Sequence, residues 1–441
     1  MTEVRTAHDL TGFAREAGPE PALRVSGMAG ALVGSEILRI AGEIRALQAA
    51  GRPVLDLTVG DFNPQQFPLA EQLREAIHVA VDRGETNYPP ASGVLSLREA
   101  IRKLYARELG LEYGIESVVV TGGARPGIYA AYRTLCDAGD RVVYPVPSWN
   151  NNHYCHLVGA LGVPVVCRPE DRFLPTRAAL AAALPGARLL SLNTPLNPTG
   201  TALDSETLAS VCDAILEENQ ARERRRVRPL FLLYDQVYWM LRFGGTPHVT
   251  PPELRPEMAR YTVFVDGVSK GFAATGLRVG WVVGPVDIMS RMSAVLGHVG
   301  AWAPRAEQVA TATVLDDAAG VAAFHAGYLR KLQARLDRLH RGLQQLRADG
   351  LPVDSLPPQG AIYLAARIHP LGRRTPEGAE LRTGEDVRRY LLDGAGIALV
   401  PFQAFGMTSD EGWFRTSVGA VGERAIEEAL PRLAAALRAL V

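Results

Sequence analysis

Apolar residues first recur at helical spacing in Ile37, Leu38, Ile40, Ala41, Ile44 and Leu47, which predicts a helix over residues 35–50. A short apolar run, Val54-Leu55-Asp56-Leu57, reads as a strand, and Gly60-Asp61-Phe62-Asn63-Pro64 reads as a turn. From about residue 70 the pattern alternates. Helices are expected at 69–83, 93–109 and 125–137, and strands at 117–121, 141–144, 163–167, 188–193, 229–234, 261–266 and 278–283. Several of these strands are unbroken Val, Leu and Ile runs, the mark of strands covered on both faces, as in a mostly parallel sheet between helical layers. After Pro304 a helical pattern continues to about Ala348. Then come a loop at 352–360, a strand at 362–365, a helix at 384–392, strands at 397–400 and 413–418, and a helix at 423–440. The first ~25 residues are weakly patterned and expected to be partly disordered.

The expected architecture is α/β in two units. Residues 1–69 form an N-terminal arm and part of a small α+β domain, residues 70–305 a large domain, and residues 306–441 the rest of the small one. A chain of 441 residues is too long for one ordinary core, which fits this division. Lys plus Arg and Asp plus Glu balance at 47 each, so no net charge argues for nucleic acid or an anionic membrane. The basic run 222–228 follows a helical pattern at 206–220 and reads as a solvated helix end. No apolar run approaches the ~20 residues that span a bilayer, and no apolar segment follows Met1-Thr2-Glu3-Val4-Arg5 to suggest a secretory signal. Four scattered cysteines without C-x-x-C spacing suit a reducing compartment, so a cytoplasmic protein is expected.

Four segments carry candidate chemistry, each at the carboxyl end of an expected strand. Val268-Ser269-Lys270-Gly271-Phe272 puts a lysine just past a buried strand, with Arg278 eight residues on. Alone, Lys270 reads as a loop lysine reaching solvent. With Ser269 and Arg278 it could serve a phosphate and an imine, since hydroxyl and guanidinium suit phosphate oxygens and a desolvated lysine near other cations becomes a nucleophile. Asp235, opening Asp235-Gln236-Val237-Tyr238, is a helix N-cap or a ligand carboxylate, such as a pyridinium nitrogen requires. Asn193-Thr194-Pro195-Leu196-Asn197-Pro198-Thr199-Gly200 is a constrained turn whose asparagines the turn alone does not explain. Thr121-Gly122-Gly123-Ala124-Arg125 is a plain tight turn or a backbone approach to phosphate at a helix N-terminus.

In this order the four segments resemble the class I/II aminotransferases of pyridoxal-phosphate fold type I, the aspartate aminotransferase family. Asn-Pro-Thr-Gly, Asp-x-x-Tyr and Ser-Lys-x7-Arg all match, and Asn87-Tyr88-Pro89-Pro90-Ala91-Ser92-Gly93 and Phe414-Arg415-Thr416-Ser417 extend the likeness over nearly the whole chain from about residue 30. The resemblance implies pyridoxal 5′-phosphate as cofactor, bound by Lys270 as a Schiff base, with Lys270 then moving the substrate proton. It implies that Asp235 pairs with the ring nitrogen, that Asn197 and Tyr238 bond the ring oxygen, and that Trp149 stacks on the ring. Ser269, Arg278 and the backbone of Ala124 and Arg125 would hold the phosphate. Tyr88 would reach the phosphate of a neighbouring subunit in a homodimer with shared sites. Arg415 would clamp the substrate carboxylate and Gly60 would line the site. The implied substrates are an amino acid and a 2-oxo acid, with no nucleic-acid or membrane partner.

Arg125 either reaches a distal carboxylate, which would make aspartate or glutamate one substrate, or points to solvent. The Gly60 loop is shorter than in relatives, and the stretch 148–153 is unusually polar. His153 and His156 lack the spacing of a helical metal pair, and no metal site is expected. Trp302 either narrows the substrate pocket of a partner or packs an interface. The same cofactor also supports lyase or synthase chemistry such as β-elimination, the main alternative. A cofactor-binding transcription regulator ranks last, because only ~30 residues precede the resemblance, too few for a helix-turn-helix module.

Overall fold

The computed structural model describes residues 24–34 and 36–441. The expectation of a weakly patterned arm therefore falls, for residues 1–23, outside the described residues. Among the described residues thirteen strands occur in chain order: β1 (Leu55–Asp56), β2 (Val118–Thr121), β3 (Arg141–Val146), β4 (Leu161–Val166), β5 (Ala187–Asn193), β6 (Phe231–Asp235), β7 (Thr262–Gly267), β8 (Gly280–Val283), β9 (Val353–Ser355), β10 (Tyr363–Ile368), β11 (Ile397–Ala398), β12 (Val400–Pro401) and β13 (Trp413–Ser417). Seven form one sheet in the order β2-β8-β7-β6-β5-β3-β4. Only β8 runs against its neighbours.

Both faces of this sheet are buried, which is why its strands read as unbroken apolar runs. Along β6, Leu232 and Tyr234 join one core cluster and Phe231 and Leu233 join another on the opposite face. Along β2, Val118 and Val120 face the first core and Val119 the second. Each such side chain contributes roughly 1.5–3 kcal/mol by leaving water. The run read at 163–167 differs. It belongs to β4, the edge strand, where Leu161 and Val166 stay exposed and Pro164 withholds a ladder donor without harm.

The second sheet has the order β12-β13-β10-β9 and is antiparallel. The N-terminal strand β1 pairs in parallel with β11, so the segment before residue 60 packs among the last hundred residues. A third core joins these strands to the helices Ala318–Ala348, Gly384–Ala395 and Glu423–Arg438.

Several expectations need correction. The helical pattern from 304 to 348 is two helices, Arg305–Asp316 and Ala318–Ala348, broken at Asp317, whose carboxylate caps the second by accepting from Gly320 N at 2.9 Å. The loop at 352–360 contains β9. The polar stretch near 150 starts the helix Asn151–Val158, and a further helix, Val286–Val299, went unread. The basic run is mainly the end of the helix Ser205–Arg225. Residues 223–228 are exposed, as expected, but Arg222 is buried, bonded to Glu218 at 2.7 Å and to two backbone carbonyls. Among the described residues, no helix is long and apolar enough to cross a membrane.

Candidate active site

Strand register brings the four sequence segments to one edge of the large sheet. Thr121 and Gly267 both pair with Gly280, while Asp235 pairs with Val265 on one side and Asn193 on the other. The carboxyl ends of β2, β5, β6 and β7 therefore open onto a common crevice, where ligands of open α/β sheets bind.

Lys270 lies in the single helical turn Val268–Gly271 that follows β7. Its Nζ donates to the Gly60 carbonyl at 2.6 Å and lies 5.9 Å from the Tyr238 ring centre. Burial pushes its pKa down to about 8; the Asp61 carboxylate opposes this, and the guanidinium groups of Arg415, Arg125 and Arg278 reinforce it. Asp61 is held by Thr275, whose hydroxyl donates at 2.6 Å, and by Phe62 N at 2.8 Å. Asp235 is half-buried and accepts from Val237 N at 3.1 Å. Burial pushes its carboxyl up to about 7, although Val237 N and Lys270 both favour the charged form.

The Asn-Pro-Thr-Gly turn is explained by its two asparagines. Asn193 Nδ2 donates to the Asp235 carbonyl at 2.9 Å and its Oδ1 accepts from Asn197 N at 2.8 Å, so Asn193 ties the turn to β6. Asn197 is thereby left with its side chain towards Arg415, whose Nη1 donates to Asn197 Oδ1 at 3.2 Å. Gly200 has φ 72°, and a Cβ there would collide with the Tyr363 carbonyl, so the turn lies flat on β10 only because glycine ends it.

Arg415, on β13, is 2% exposed. Its Nη2 donates to the Thr58 carbonyl at 2.5 Å, its guanidinium lies 4.9 Å from the ring centres of both Tyr363 and Phe405, and its Nε has no hydrogen-bond partner among the described residues. Gly60 lines the same space: a Cβ on it would lie 2.8 Å from the Tyr363 hydroxyl and 3.8 Å from Arg415 Nη1.

At the other end, Gly122 and Gly123 lead into the helix Ala124–Leu135, whose first amides have no intrahelical acceptor. Arg278 donates to the Thr275 carbonyl at 2.7 Å and the Gly122 carbonyl at 3.1 Å. It sits in the left-handed region (φ 57°), before β8 and not within it as the pattern suggested. Its guanidinium occupies the space that a Cβ on Gly123 would need. Ser269 is buried beside Lys270. Arg125 is exposed, but its guanidinium stacks 4.4 Å above the Trp149 ring instead of extending freely into solvent. Tyr88 stands apart: it is 82% exposed, and its ring lies edge-on to Trp302 at 5.5 Å.

Sequence reading missed Tyr363, Asp61, Thr58 and Asp266. Tyr363 is buried, and its hydroxyl bonds that of Tyr238 at 2.8 Å. Asp266 is buried behind the crevice, bonded to Trp239 Nε1 and Gly267 N at 2.7 Å each, with its carboxyl pushed up to about 8 by burial. A further signal went unused. The chain has only three lysines, Lys103, Lys270 and Lys331, and the other two are exposed on helices. The other 44 of its 47 basic residues are arginine, so a lysine placed in the crevice points to the chemistry of a primary amine.

A buried amine of lowered proton affinity, flanked by a carboxylate at a strand end and by guanidinium groups at opposite ends of one crevice, suits an enzyme of carbonyl and amine chemistry on anionic ligands. Comparison with known proteins agrees. A family model described as aminotransferase class I and II matches residues 52–433. The chain is 32% identical over 430 residues to an aspartate aminotransferase of Rhizobium meliloti, covering 97% of this chain and 98% of that one. It is 30% identical over 385 residues to the aspartate aminotransferase of Geobacillus stearothermophilus, covering 85% and 90%. The crystal structure of the Rhizobium meliloti aspartate aminotransferase superposes with a TM-score of 0.86 at 30% identity, covering 95% of this chain and 99% of that one. That of Thermus thermophilus with maleate gives 0.82 at 27%, covering 94% and 99%. The chain belongs to the class I and II aminotransferases. It is a pyridoxal-phosphate-dependent transaminase of fold type I, and the comparisons give the lyase alternative no support.

Proposed function

We propose that this transaminase exchanges the amino group of a dicarboxylic amino acid, aspartate or glutamate, with a 2-oxo acid, using Lys270 as the amine that holds the cofactor and carries the proton. The observation behind the reading is the buried Arg415, with its Nε unpartnered among the described residues, sharing one crevice with the amine of Lys270. Burying an unpaired guanidinium is costly. A substrate carboxylate would relieve that cost by accepting two parallel hydrogen bonds.

The crevice also suits the cofactor. The backbone amides of Ala124 and Arg125 at a helix start, the Ser269 hydroxyl and the Arg278 guanidinium form a donor set for a phosphate. Asp235, whose carboxyl burial pushes up to about 7, would return to its charged form beside a protonated ring nitrogen. Asn197 and Tyr238 would donate to the ring oxygen, and Trp149 would cover the ring. When bound, the cofactor supplies the electron sink that lets the Cα–H bond of an amino acid break. Lys270 would be the residue that holds the cofactor, and its neutral Nζ the group that would move the proton of the substrate Cα. The lowered pKa of Lys270 serves both tasks, because each begins from the neutral amine. Gly60 would leave room for the substrate under Tyr363.

Arg125 is the cation for the distal carboxylate in this reading, swinging from its stack on Trp149. The exposed Tyr88 fits a residue that completes the phosphate site of a second subunit, and we assign a homodimer on that ground. The maleate-bound Thermus thermophilus enzyme lends support to a dicarboxylic ligand. Four unpaired, buried cysteines favour the cytoplasm. The division into 1–69, 70–305 and 306–441 is offered as the two-domain frame around the crevice.

The test is a half-reaction. Cofactor-loaded enzyme is mixed with single amino acids and its absorbance followed. Aspartate or glutamate should discharge the lysine-linked band fastest, and a 2-oxo acid should restore it. Arg125→Ala should lower kcat/KM for aspartate by about 100-fold and leave alanine nearly unchanged. An equal loss for both substrates would remove the dicarboxylate from the proposal.

A further inference from the structure

We propose that Tyr363 is a positioning residue for the reaction: its hydroxyl donates to Tyr238 and thereby turns the single proton of the Tyr238 phenol towards the crevice. The inference rests on the reading of Tyr238 as a crevice donor and extends the site to a residue of the small sheet.

The two hydroxyls are 2.8 Å apart, both side chains are buried, and the rings meet edge to face at 5.6 Å. A phenol has one proton and two acceptor sites. If Tyr238 gave its proton to Tyr363, it could only accept from a ligand. If Tyr363 gives its proton to Tyr238, the Tyr238 proton is free for an anionic oxygen in the crevice, and each bond of the chain strengthens the next. Lys270 Nζ, 5.9 Å from the Tyr238 ring centre, places this ring beside the reacting amine.

Tyr363 is built to hold that position. Its β10 residue pairs with Ser417 of β13, and Arg415 pairs with Ala365, so Tyr363 and Arg415 are diagonal neighbours on one face of the sheet. Gly200 backs onto the Tyr363 carbonyl, and Ala365 N donates to the Thr199 carbonyl at 3.2 Å. The turn that presents Asn197 thus also fixes Tyr363. The Tyr363 ring supports the Arg415 guanidinium, while its hydroxyl serves Tyr238. These two tasks can be separated, because Tyr363→Phe keeps the ring and removes only the hydroxyl.

The readout is the pH midpoint of the visible absorbance of the Lys270-linked cofactor. A donor held on the cofactor's anionic oxygen favours loss of the proton from that linkage, so weakening the donor moves the midpoint up. In Tyr363→Phe we expect a rise of about half a pH unit, a kcat lowered about 5-fold, and KM for the amino acid within about 2-fold of the wild type. In a Tyr238→Phe background the same substitution should move the midpoint no further. A purely structural tyrosine would lower the unfolding temperature and leave the midpoint alone, which would overturn the proposal. So would an equal shift with and without the Tyr238 hydroxyl. If the wild-type enzyme showed no lysine-linked absorbance band at all, the assignment of Lys270 would fail instead, and that outcome is distinct from the other two.

Discussion

The lowered proton affinity of Lys270 can be measured without cofactor or substrate. Burial in the crevice, with three guanidinium groups against one carboxylate, pushes its pKa down to about 8. A lysine in water titrates near 10.4. The difference corresponds to about 3 kcal/mol favouring the neutral amine, an order-of-magnitude figure from the shift alone. At pH 7 a lysine with a pKa of 8 is about one-tenth neutral, and at pH 9 about nine-tenths, a roughly tenfold rise that then levels off. An ordinary lysine would rise about 100-fold over the same interval without levelling. The assay is trace labelling of the cofactor-free protein with an amine-reactive anhydride, followed by peptide mass spectrometry, and only three lysine peptides have to be resolved. The Lys270 peptide should show a labelling rate that saturates near pH 9. Asp61→Asn removes the carboxylate that most favours its charged form, and should move the midpoint below 8. A Lys270 profile that climbs without a plateau beyond pH 10 would refute the electrostatic argument, and a midpoint raised by Asp61→Asn would refute its sign.

Two further outcomes follow from the same site. Without cofactor, the folded chain keeps the Asp235 proton up to about pH 7, whereas the unfolded chain releases it near 4. Stability from this group therefore falls as pH rises through that window. Cofactor-free Asp235→Asn should match the wild type near pH 4 and exceed it above pH 7, by roughly 3–4 kcal/mol at most, while transamination drops by about 100-fold or more; thermal unfolding at the two pH values checks the first claim and a coupled assay the second. Gly123→Ala adds a Cβ at φ 96° directly against the Arg278 guanidinium. It should weaken cofactor binding by about tenfold or more and cost about 1–2 kcal/mol of folding stability, both measurable by cofactor titration and denaturant unfolding.

Much of this was legible in the sequence because the chemistry repeats one device. Four strands end in short segments of Gly, Asn, Asp or Lys; parallel pairing carries the ends of β5, β6 and β7 to one edge, and the antiparallel β8 between β7 and β2 brings the end of β2 there too. Asp235, Asn197, Lys270 and Arg278 could thus be picked out locally. Tyr363 could not, because a tyrosine on a strand reads as packing, and its partner Tyr238 is 125 residues away. Asp61 was hidden in the same way: its neighbour Thr275 and the amine it acts on both lie more than 200 residues further along. The break at Asp317 was missed since the apolar spacing continues across it, and a single capping carboxylate carries no periodicity. The helix Asn151–Val158 was masked by polar residues that work as tethers. Asn151 accepts from Tyr132 at 2.8 Å, and His156 bonds the Met28 carbonyl at 2.7 Å.

The central assignment is that Lys270 is the residue that holds the cofactor. Borohydride reduction of the cofactor-loaded enzyme fixes the linkage as a stable secondary amine, and peptide mapping then finds it. One adduct is expected, on the peptide containing Lys270, and Lys270→Ala should abolish it. An adduct on Lys103 or Lys331, or none at all in protein that still transaminates, would contradict the account.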